Sequence, residues 1–405
     1  MIARRDVKST SSVCVPGFKA AGVHCGLKEA GLDLALIASD VPARVAGVFT
    51  QSTVVGAPVE LSRDRVRAGS ARAVVINSGA ANVAMGAQGR RDAAEMAQRA
   101  AVAIGVPAEQ VLVASTGVIG SRLPMPQIRR GIRAAADALA QGGLGDAADA
   151  IRTTDTFAKI SVVTADVDGC EVTLAGIAKG SGMIEPNMAT MLAFLMTDAA
   201  VSATFLVRVL RAATNAGFNR LSVDGETSTS DMALFFANGV ADNRELRGPR
   251  SPGAAAFTAA TESLAIALTR DIARDGEGAT KLVTVRVEGA ASAADAERAA
   301  RRIANSVLVK TALFGGDANW GRILQTVGAA RVRLKLDRAV VRLGGVTVFR
   351  AGASAGPAAR RRAARKLQAS EVEVAIDLGA GRASAHLWTC DLSYDYVKIN
   401  AEYTT

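Results

Sequence analysis

Histidine and cysteine are scarce in this sequence, which narrows the enzyme mechanisms open to it. The 405 residues include two histidines, His24 and His386, so few pairings can activate a serine or cysteine through an imidazole base. The four cysteines are Cys14, Cys25, Cys170 and Cys390. They are widely spaced and form no C-x-x-C pair, so we expect neither a disulfide framework nor a metal site. Such cysteine usage is typical of a reducing compartment.

Long apolar runs and nucleotide-binding loops are missing as well. No continuous apolar run approaches the roughly 18 residues that a membrane span needs, and Met1 to Arg5 lead into polar residues instead of a signal-peptide core. The sequence contains neither G-x-G-x-x-G nor G-x-x-x-x-G-K-[ST], which argues against a Rossmann or P-loop fold. We therefore predict a cytoplasmic protein that does not act at a membrane.

Aromatic residues are also few, at 4%, although the chain carries a net charge of +10. The charge raises the alternative of an RNA-binding protein, and the densest basic cluster runs from Arg360 to Lys366. Without aromatic stacking platforms or a recognised binding fold, a solvated helix is the favoured interpretation of that cluster. We expect a positive surface that attracts small acidic substrates and no nucleic-acid partner.

What the chain does contain is enough apolar material for two or three domains, since 49% of its residues are hydrophobic. Two alternating runs, Lys159 to Val167 and Glu171 to Leu174, flank Asp168-Gly169 and predict a β-hairpin with a primed turn. Residues 203–216 form an amphipathic pattern that predicts a helix. Helices alternate with strands while hairpins recur, so the pattern predicts a layered α/β fold with substantial antiparallel sheet.

Four further segments bear on the architecture. We predict one helix over residues 295–310, and strands over residues 46–60 and 332–336. A short strand over residues 110–114 is expected to end in a polar turn, Ser115-Thr116-Gly117. Loops that follow buried strands are common places for functional side chains.

The most informative stretch is KGSGMIEPNMATMLAFLMT, which spans residues 179–197. A glycine-spaced loop and a turn lead to Thr190, and an apolar run follows at once. Thr190 is suited to be a hydroxyl nucleophile whose own α-amino group acts as the base, because that amine titrates near pH 8. Such an amine exists only if the Ala189-Thr190 bond is cut. The structural alternative is that Thr190 simply begins a β-strand.

Three other sites have residues that suit acyl transfer. The Thr116 hydroxyl and the Gly117 amide are candidates for an oxyanion hole. Lys179 is a candidate for lowering the pKa of the amine or for holding a substrate carboxylate. Glu277 lies between two glycines, where a carboxylate can approach a ligand ammonium group. Each has an ordinary structural alternative: a turn, a solvated lysine and a helix C-cap.

Eight motifs taken together resemble the ornithine acetyltransferase family, also called bifunctional glutamate N-acetyltransferase and amino-acid acetyltransferase. The resemblance extends from about Gly22 to the last residue. The motifs are NSGAAN (77–82), STGVIG (115–120), TTDTFAK (153–159), KGSGMIEPNMATML (179–192), SVDGETSTSD (222–231), DGEGATK (275–281), NWGRI (319–323) and YVKINAEYTT (396–405). Family members often carry different residues at Ala80, Val83-Ala84-Met85 and Ala158, which affects the expected substrate preference more than the reaction type.

The resemblance implies a fold and a division of the chain. It implies a layered α-β-β-α sandwich of the self-processing ornithine acetyltransferase type, with a smaller C-terminal α/β domain. Residues 1–189 would form the α chain, and residues 190–280 would begin the β chain and complete the sandwich and active site. Residues 281–405 would form the C-terminal domain, whose tail returns to the active site. Cleavage would thus leave two chains, 1–189 and 190–405.

The resemblance also implies roles for individual residues. Thr190 matches the family nucleophile, exposed by autocleavage after Ala189, while Thr116 and Gly117 match the oxyanion-hole pair. The substrate-contacting positions of the family correspond to Thr153, Lys179, Thr190, Glu277, Asn400 and Thr405. The implied reaction is ping-pong transfer of an acetyl group from N2-acetylornithine to glutamate in arginine biosynthesis.

Cofactors, partners and a competing activity complete the expectations. No cofactor is expected, although acetyl-CoA is an additional acetyl donor if the enzyme is bifunctional. The family resemblance implies an assembly of two α and two β chains or larger. The alternative function is an N-terminal-threonine amidohydrolase or aminopeptidase on a related scaffold, in which water replaces glutamate as the acceptor.

Overall fold

A computed structural model describes the backbone of residues 3–5 and describes residues 13–185 and 191–402 in full. Nine strands form the larger sheet, in the order β1-β6-β7-β8-β9-β3-β4-β5, with β2 paired to β3. They are β1 Ala3–Arg5, β2 Phe18–Val23, β3 Leu34–Phe49, β4 Ser70–Ala80, β5 Val111–Val118, β6 Lys159–Val167, β7 Cys170–Lys179, β8 Leu192–Thr197 and β9 Met232–Ala237.

The predicted hairpin is confirmed in β6 and β7. The two strands pair antiparallel from Lys159↔Ala178 to Val167↔Cys170, and Asp168 and Gly169 occupy the turn with φ of 57° and 83°. Positive φ at both central residues is the requirement of a type I′ turn, which Asp-Gly satisfies at little cost. The turn therefore determines the register that brings Lys179 to the end of β7.

Strand β3 folds the larger sheet over on itself. Its first half pairs with β2, its second half pairs with β9, and its pairing with β4 shifts register between Ala38 and Ala43. The two halves of the sheet enclose a buried cluster that includes Ile37, Ile76 and Phe194. Side chains alternate along a strand, so Leu36 of β3 belongs instead to a cluster on the outer face.

Helices cover both outer faces of the folded sheet. The helices that precede residue 280 are α1 Ala57–Val66, α2 Gly86–Ile104, α3 Met125–Asp137, α4 Leu144–Ala150, α5 Ala203–Ala216 and α6 Ala254–Arg274. Helices α2 and α3 pack Met96 and Ile128 on one half of the sheet. Helices α5 and α6 cover the other half, where Phe257 stacks on Phe235 with ring centroids 6.1 Å apart. The predicted layered α-β-β-α sandwich is confirmed, as is the helix over residues 203–216.

A second, six-stranded sheet follows in the chain, in the order β13-β12-β11-β14-β10-β15. Its strands are β10 Leu282–Ala290, β11 Val340–Leu343, β12 Val346–Arg350, β13 Ala353–Ser354, β14 Glu371–Asp377 and β15 Ala383–Cys390. The helices of this part are α7 Ala293–Ala304, α8 Val307–Phe314, α9 Trp320–Ala329, α10 Pro357–Lys366 and α11 Tyr394–Glu402. The predicted smaller α/β unit is therefore present, although the predicted domain boundaries stay a prediction.

Outside strand β5, three predicted elements differ from the structure. The single helix expected over residues 295–310 is two helices, because Asn305 ends α7 and the Ser306 hydroxyl accepts from the Val309 N–H to begin α8. The strand expected over residues 46–60 ends at Phe49, and Pro58 lies in the first turn of α1. Residues 332–336, in which basic and apolar residues alternate, form no strand. They lie in an irregular segment before β11.

The basic cluster from Arg360 to Lys366 lies on α10. Arg360, Arg361 and Arg362 are exposed, while Ala363 is buried against the second sheet. The cluster is thus the solvated helix face that was expected. Across the described ranges, no helix combines the length and apolar character that a membrane span requires.

Candidate functional site

A cavity of about 270 Å³ lies where loops of the larger sheet meet the end of α6 and α11. Six predicted site residues line it: Thr116, Gly117, Thr153, Lys179, Glu277 and Asn400. Met191 and Leu192, at the start of β8, line it as well. Ala189, Thr190 and Thr405 lie outside the described residues. Residues that lie far apart in the chain thus line one small cavity.

Thr116 and Gly117 are positioned by the parallel pairing of β4 and β5. The strand β5 continues through Ser115-Thr116-Gly117, so the turn predicted there is wrong and the pair lies within a strand, with Gly117 opposite Gly79. Gly117 has φ of 124°, and a Cβ atom there would lie 2.4 Å from the carbonyl carbon of Gly79. Only glycine fits this position. The close approach of the two strands therefore fixes the backbone on which a donor pair could be built.

Lys179 is largely buried at the end of β7, with 9% of its surface exposed. Its ammonium group donates to the Thr153 hydroxyl at 2.8 Å and to the Thr116 hydroxyl at 3.3 Å. Burial lowers the pKa of Lys179 below that of an exposed lysine, and the carboxylate of Asp155 opposes this effect. The result is a buried amino group in direct contact with two hydroxyl groups on the cavity wall.

A buried ionic network that sequence reasoning missed lies behind this wall. The ammonium group of Lys159 is 2.7 Å from Asp155 and 2.5 Å from Asp275, and the three side chains are at most 3% exposed. Asp275 also accepts hydrogen bonds from the backbone amide and the hydroxyl of Thr156. The sequence signal for this network was the presence of ionisable residues inside two motifs: Asp155 and Lys159 lie within TTDTFAK, and Asp275 lies within DGEGATK.

Asp155 determines the local backbone on both sides of the Lys179 contact. Its carboxylate accepts from the Gly180 amide at 2.7 Å and from the Thr153 amide at 3.1 Å. Burial alone would raise the pKa of Asp155, but the ammonium groups of Lys159 and Lys179 hold it well below its usual range. Asp155 is therefore ionised. It holds the backbone amides of Gly180 and Thr153, which flank the contact between Lys179 and Thr153.

Glu277 closes another side of the cavity. Its amide donates to the Ser181 carbonyl at 3.0 Å, and its carboxylate accepts from the Asn400 side-chain amide at 2.8 Å. A Cβ atom on Gly182 would lie 2.4 Å from that carboxylate, so any larger residue at position 182 would displace the Glu277 side chain from its present position. Asn400 belongs to α11, which places the C-terminal helix beside the carboxylate.

The loop before β9 supplies hydroxyl groups that sequence reasoning did not assign. Ser228, Thr229, Ser230 and Asp231 line the cavity, and Asp231 is 2% exposed. The next residue, Met232, donates its amide to the Met191 carbonyl at 3.0 Å. The parallel pairing of β8 and β9 therefore brings this loop alongside the start of β8.

These features define a small cavity whose wall combines ionisable, hydroxyl-bearing and apolar side chains. Lys179 and Glu277 both line it, together with Thr116, Thr153 and the hydroxyl groups of the loop before β9. The family model of ArgJ matches residues 19–405, and the chain belongs to the ArgJ family. It is an acyltransferase of arginine biosynthesis, so the family resemblance predicted from eight motifs is confirmed.

Three comparisons give the scale of the similarity. The chain is 51% identical to the arginine biosynthesis bifunctional protein ArgJ of Symbiobacterium thermophilum, covering 96% of this chain and 97% of that protein. It is 49% identical to the protein of the same name from Geobacter sulfurreducens, covering 96% and 100%. A crystal structure of the Bacillus halodurans arginine biosynthesis bifunctional protein is 41% identical and superposes with a TM-score of 0.51. The match covers 53% of this chain and all of that chain.

Proposed function

We propose that this enzyme transfers an acetyl group from N2-acetylornithine to glutamate, giving ornithine and N-acetylglutamate. The observation that carries the proposal is that Thr116, Gly117, Lys179 and Glu277 line one cavity with the start of β8. These are the parts that acyl transfer requires: donors for an oxyanion, and charges that orient the substrate. The family and the names of its relatives supply the class of reaction.

The two charged residues orient the donor. Lys179 binds the α-carboxylate of N2-acetylornithine, because it is a buried cation with hydroxyl partners that it can share with a ligand. Glu277 binds the side-chain ammonium group, and Asn400 holds the glutamate carboxylate for this contact. The acetyl carbonyl then lies near Thr116 and Gly117, whose hydroxyl and amide stabilise the oxyanion.

Thr190 supplies the nucleophile. It is bonded to Met191, which lines the cavity, so covalent geometry keeps its backbone within about 4 Å of that residue. Its free amine takes the hydroxyl proton while the oxygen attacks the acetyl carbonyl. The tetrahedral intermediate then collapses, and the amine returns the proton to the departing nitrogen. Ornithine is released, and the acetyl group remains on the enzyme as an ester of the Thr190 hydroxyl. The amino group of glutamate then attacks the ester and regenerates the threonine.

The free amine requires cleavage between Ala189 and Thr190. In the uncut chain, the Thr190 hydroxyl attacks the Ala189 carbonyl, the peptide nitrogen leaves as an amine, and water hydrolyses the resulting ester. The Bacillus halodurans chain supports a cut of this kind in a relative. That chain is matched over its full length yet accounts for 53% of the present chain, which is the share that a fragment spanning 190–405 would have.

The test combines intact mass with turnover. We expect the purified protein to contain two chains, 1–189 and 190–405, and the Thr190→Ala variant to stay uncut. Thr116→Ala should lower turnover by about a hundredfold or more, because one oxyanion donor is worth roughly 3 to 4 kcal/mol of barrier. A wild-type chain that stays intact, or a Thr116→Ala variant with full turnover, would contradict the mechanism.

Assays with different acceptors and donors separate the remaining alternatives. Loss of acetylornithine that depends on glutamate identifies a transferase, whereas equal loss in water alone identifies an amidohydrolase. The relatives are named bifunctional, so we also propose acetyl-CoA as a second donor, which the same assay tests by replacing acetylornithine. For the cleaved enzyme, we propose an assembly with two copies of each fragment, which sedimentation measures.

A further inference from the structure

The backbone that leads into the proposed cleavage segment is held by one carboxylate. Asp224 accepts from the Met183 amide at 2.7 Å and from the Ile184 amide at 2.8 Å. The Ile184 carbonyl in turn accepts from the Val223 amide at 2.7 Å. Met183 has φ of 56°, an uncommon conformation for a residue other than glycine, and these contacts keep it there. These hydrogen bonds therefore fix the backbone of Met183 and Ile184, which directly precede Glu185.

Glu185 is held more extensively than a surface glutamate. Its amide donates to the Glu226 carbonyl at 2.7 Å, and its own carbonyl accepts from the Thr227 hydroxyl at 3.2 Å. Its carboxylate accepts from Arg301 at 3.0 Å and from the Asn305 side-chain amide at 2.7 Å. Contacts thus hold both the backbone and the side chain of Glu185 in place.

The other end of the segment is fixed as well. The Met191 carbonyl accepts from the Met232 amide, and β8, which begins at Leu192, is buried along its whole length. Four residues separate Glu185 from the scissile peptide bond, and Thr190 adjoins Met191. The two described residues that border the segment, Glu185 and Met191, are therefore both anchored.

We propose that Glu185, Arg301 and Asn305 form a processing clamp, which positions the cleavage segment for attack by Thr190 and has no part in acetyl transfer. The proposal rests on the self-cleavage proposed above. None of the three residues lines the catalytic cavity, which separates the clamp from the substrate contacts. Arg301 lies on α7 and Asn305 caps it, and this helix packs on the second sheet. The clamp therefore makes self-cleavage depend on the docking of the C-terminal unit.

The experiment compares cleavage rates of full-length chains made by cell-free translation and followed by intact mass. Arg301→Gln and Glu185→Gln remove the ion pair, and we expect each to slow cleavage by at least about tenfold, since small misplacements of reacting groups have effects of this size. Arg298→Gln is the matched control on the same helix. Arg298 pairs with Asp295 within α7 and should cleave within about twofold of wild type.

A second readout distinguishes positioning from a general structural role. The cleaved fraction of each variant is purified, and its acetyl-transfer rate is measured per cleaved molecule; we expect values within about twofold of wild type. Unchanged cleavage rates would overturn the clamp, and so would equal losses in cleavage and transfer. Slow cleavage in Arg298→Gln would also overturn it. A wild-type chain that never cleaves would instead refute the self-cleavage on which the clamp rests.

Discussion

At the scale of single residues, the proposed role of Lys179 predicts that substrate binding is sensitive to alkaline pH. Burial lowers its pKa below 10.5, the value of an exposed lysine. The ammonium form attracts a carboxylate and the neutral amine does not, so binding weakens as pH rises through the lowered pKa. We expect KM for acetylornithine to begin rising below pH 10.5 in steady-state assays of the cleaved enzyme.

The control for this prediction is an acetyl donor that lacks the α-carboxylate of acetylornithine. N-acetylputrescine keeps the acetyl group and the distal amine of acetylornithine, and its KM should not rise over the same pH range. If KM rises equally for both donors, the titrating group does not act through the carboxylate. An α-amino group in a model peptide titrates near pH 8, so the amine proposed for Thr190 is expected to affect turnover in a lower pH range.

The sequence identifies the residues that line the cavity better than the residues that hold them in place. Thr116, Lys179 and Glu277 were predicted because hydroxyl, ammonium and carboxylate groups near glycine suggest chemistry, and they line one cavity. Asp155 and Asp275 were not predicted, because their roles follow from partners that are distant in the chain, such as Gly180 for Asp155. A sequence motif shows which residue types are present at a site. Which backbone groups those residues hydrogen-bond depends on contacts between distant parts of the chain, and a motif does not show these.

At the scale of elements, Lys159 joins two parts of the wall around the cavity. It begins β6 and contacts Asp155, which anchors Gly180 after β7, and Asp275, which follows α6. Removal of one partner from a buried ionic network leaves uncompensated charge. Lys159→Met should therefore lower the free energy of unfolding by about 3 to 5 kcal/mol in urea titrations.

A triple variant separates charge from packing in this network. Lys159→Met combined with Asp155→Asn and Asp275→Asn carries no stranded carboxylate, and we expect it to recover at least half of the lost stability. Its KM for acetylornithine should be higher than that of wild type, because a neutral amide in place of the Asp155 carboxylate would hold the Gly180 and Thr153 amides less firmly. A triple variant as unstable as the single variant would assign the effect to the buried lysine stem.

Elements governed by local chemistry were predicted well. The Asp-Gly turn and the helix over residues 203–216 are confirmed because turn dihedrals and amphipathic spacing are local properties. The break between α7 and α8 was missed, since the serine cap at Ser306 lies inside a continuous apolar pattern. The partner change along β3 was missed for a different reason. It depends on which strands, β2 and β9, are available elsewhere in the sheet.

At the scale of the whole molecule, the proposed cut separates the chain without interrupting a described strand pair. Strand β7 precedes the cut and β8 follows it, and they pair from Leu174↔Thr197 to Lys179↔Leu192. Strands β3 and β9 pair across the cut over residues 44–49 and 232–237. The Lys159–Asp275 contact also joins the two fragments. The fragments therefore share one core and should remain together after cleavage.

We expect cleaved wild type to elute as one species that contains both fragments, with the elution volume of uncut Thr190→Ala. Its midpoint of thermal unfolding should rise with protein concentration, because unfolding separates two chains, whereas that of the uncut variant should rise less. Both proteins keep the same buried sheet, so their midpoints should differ by only a few degrees at micromolar concentration. Separation of the fragments in native buffer would show that the covalent link, and not the shared sheet, holds the fold together.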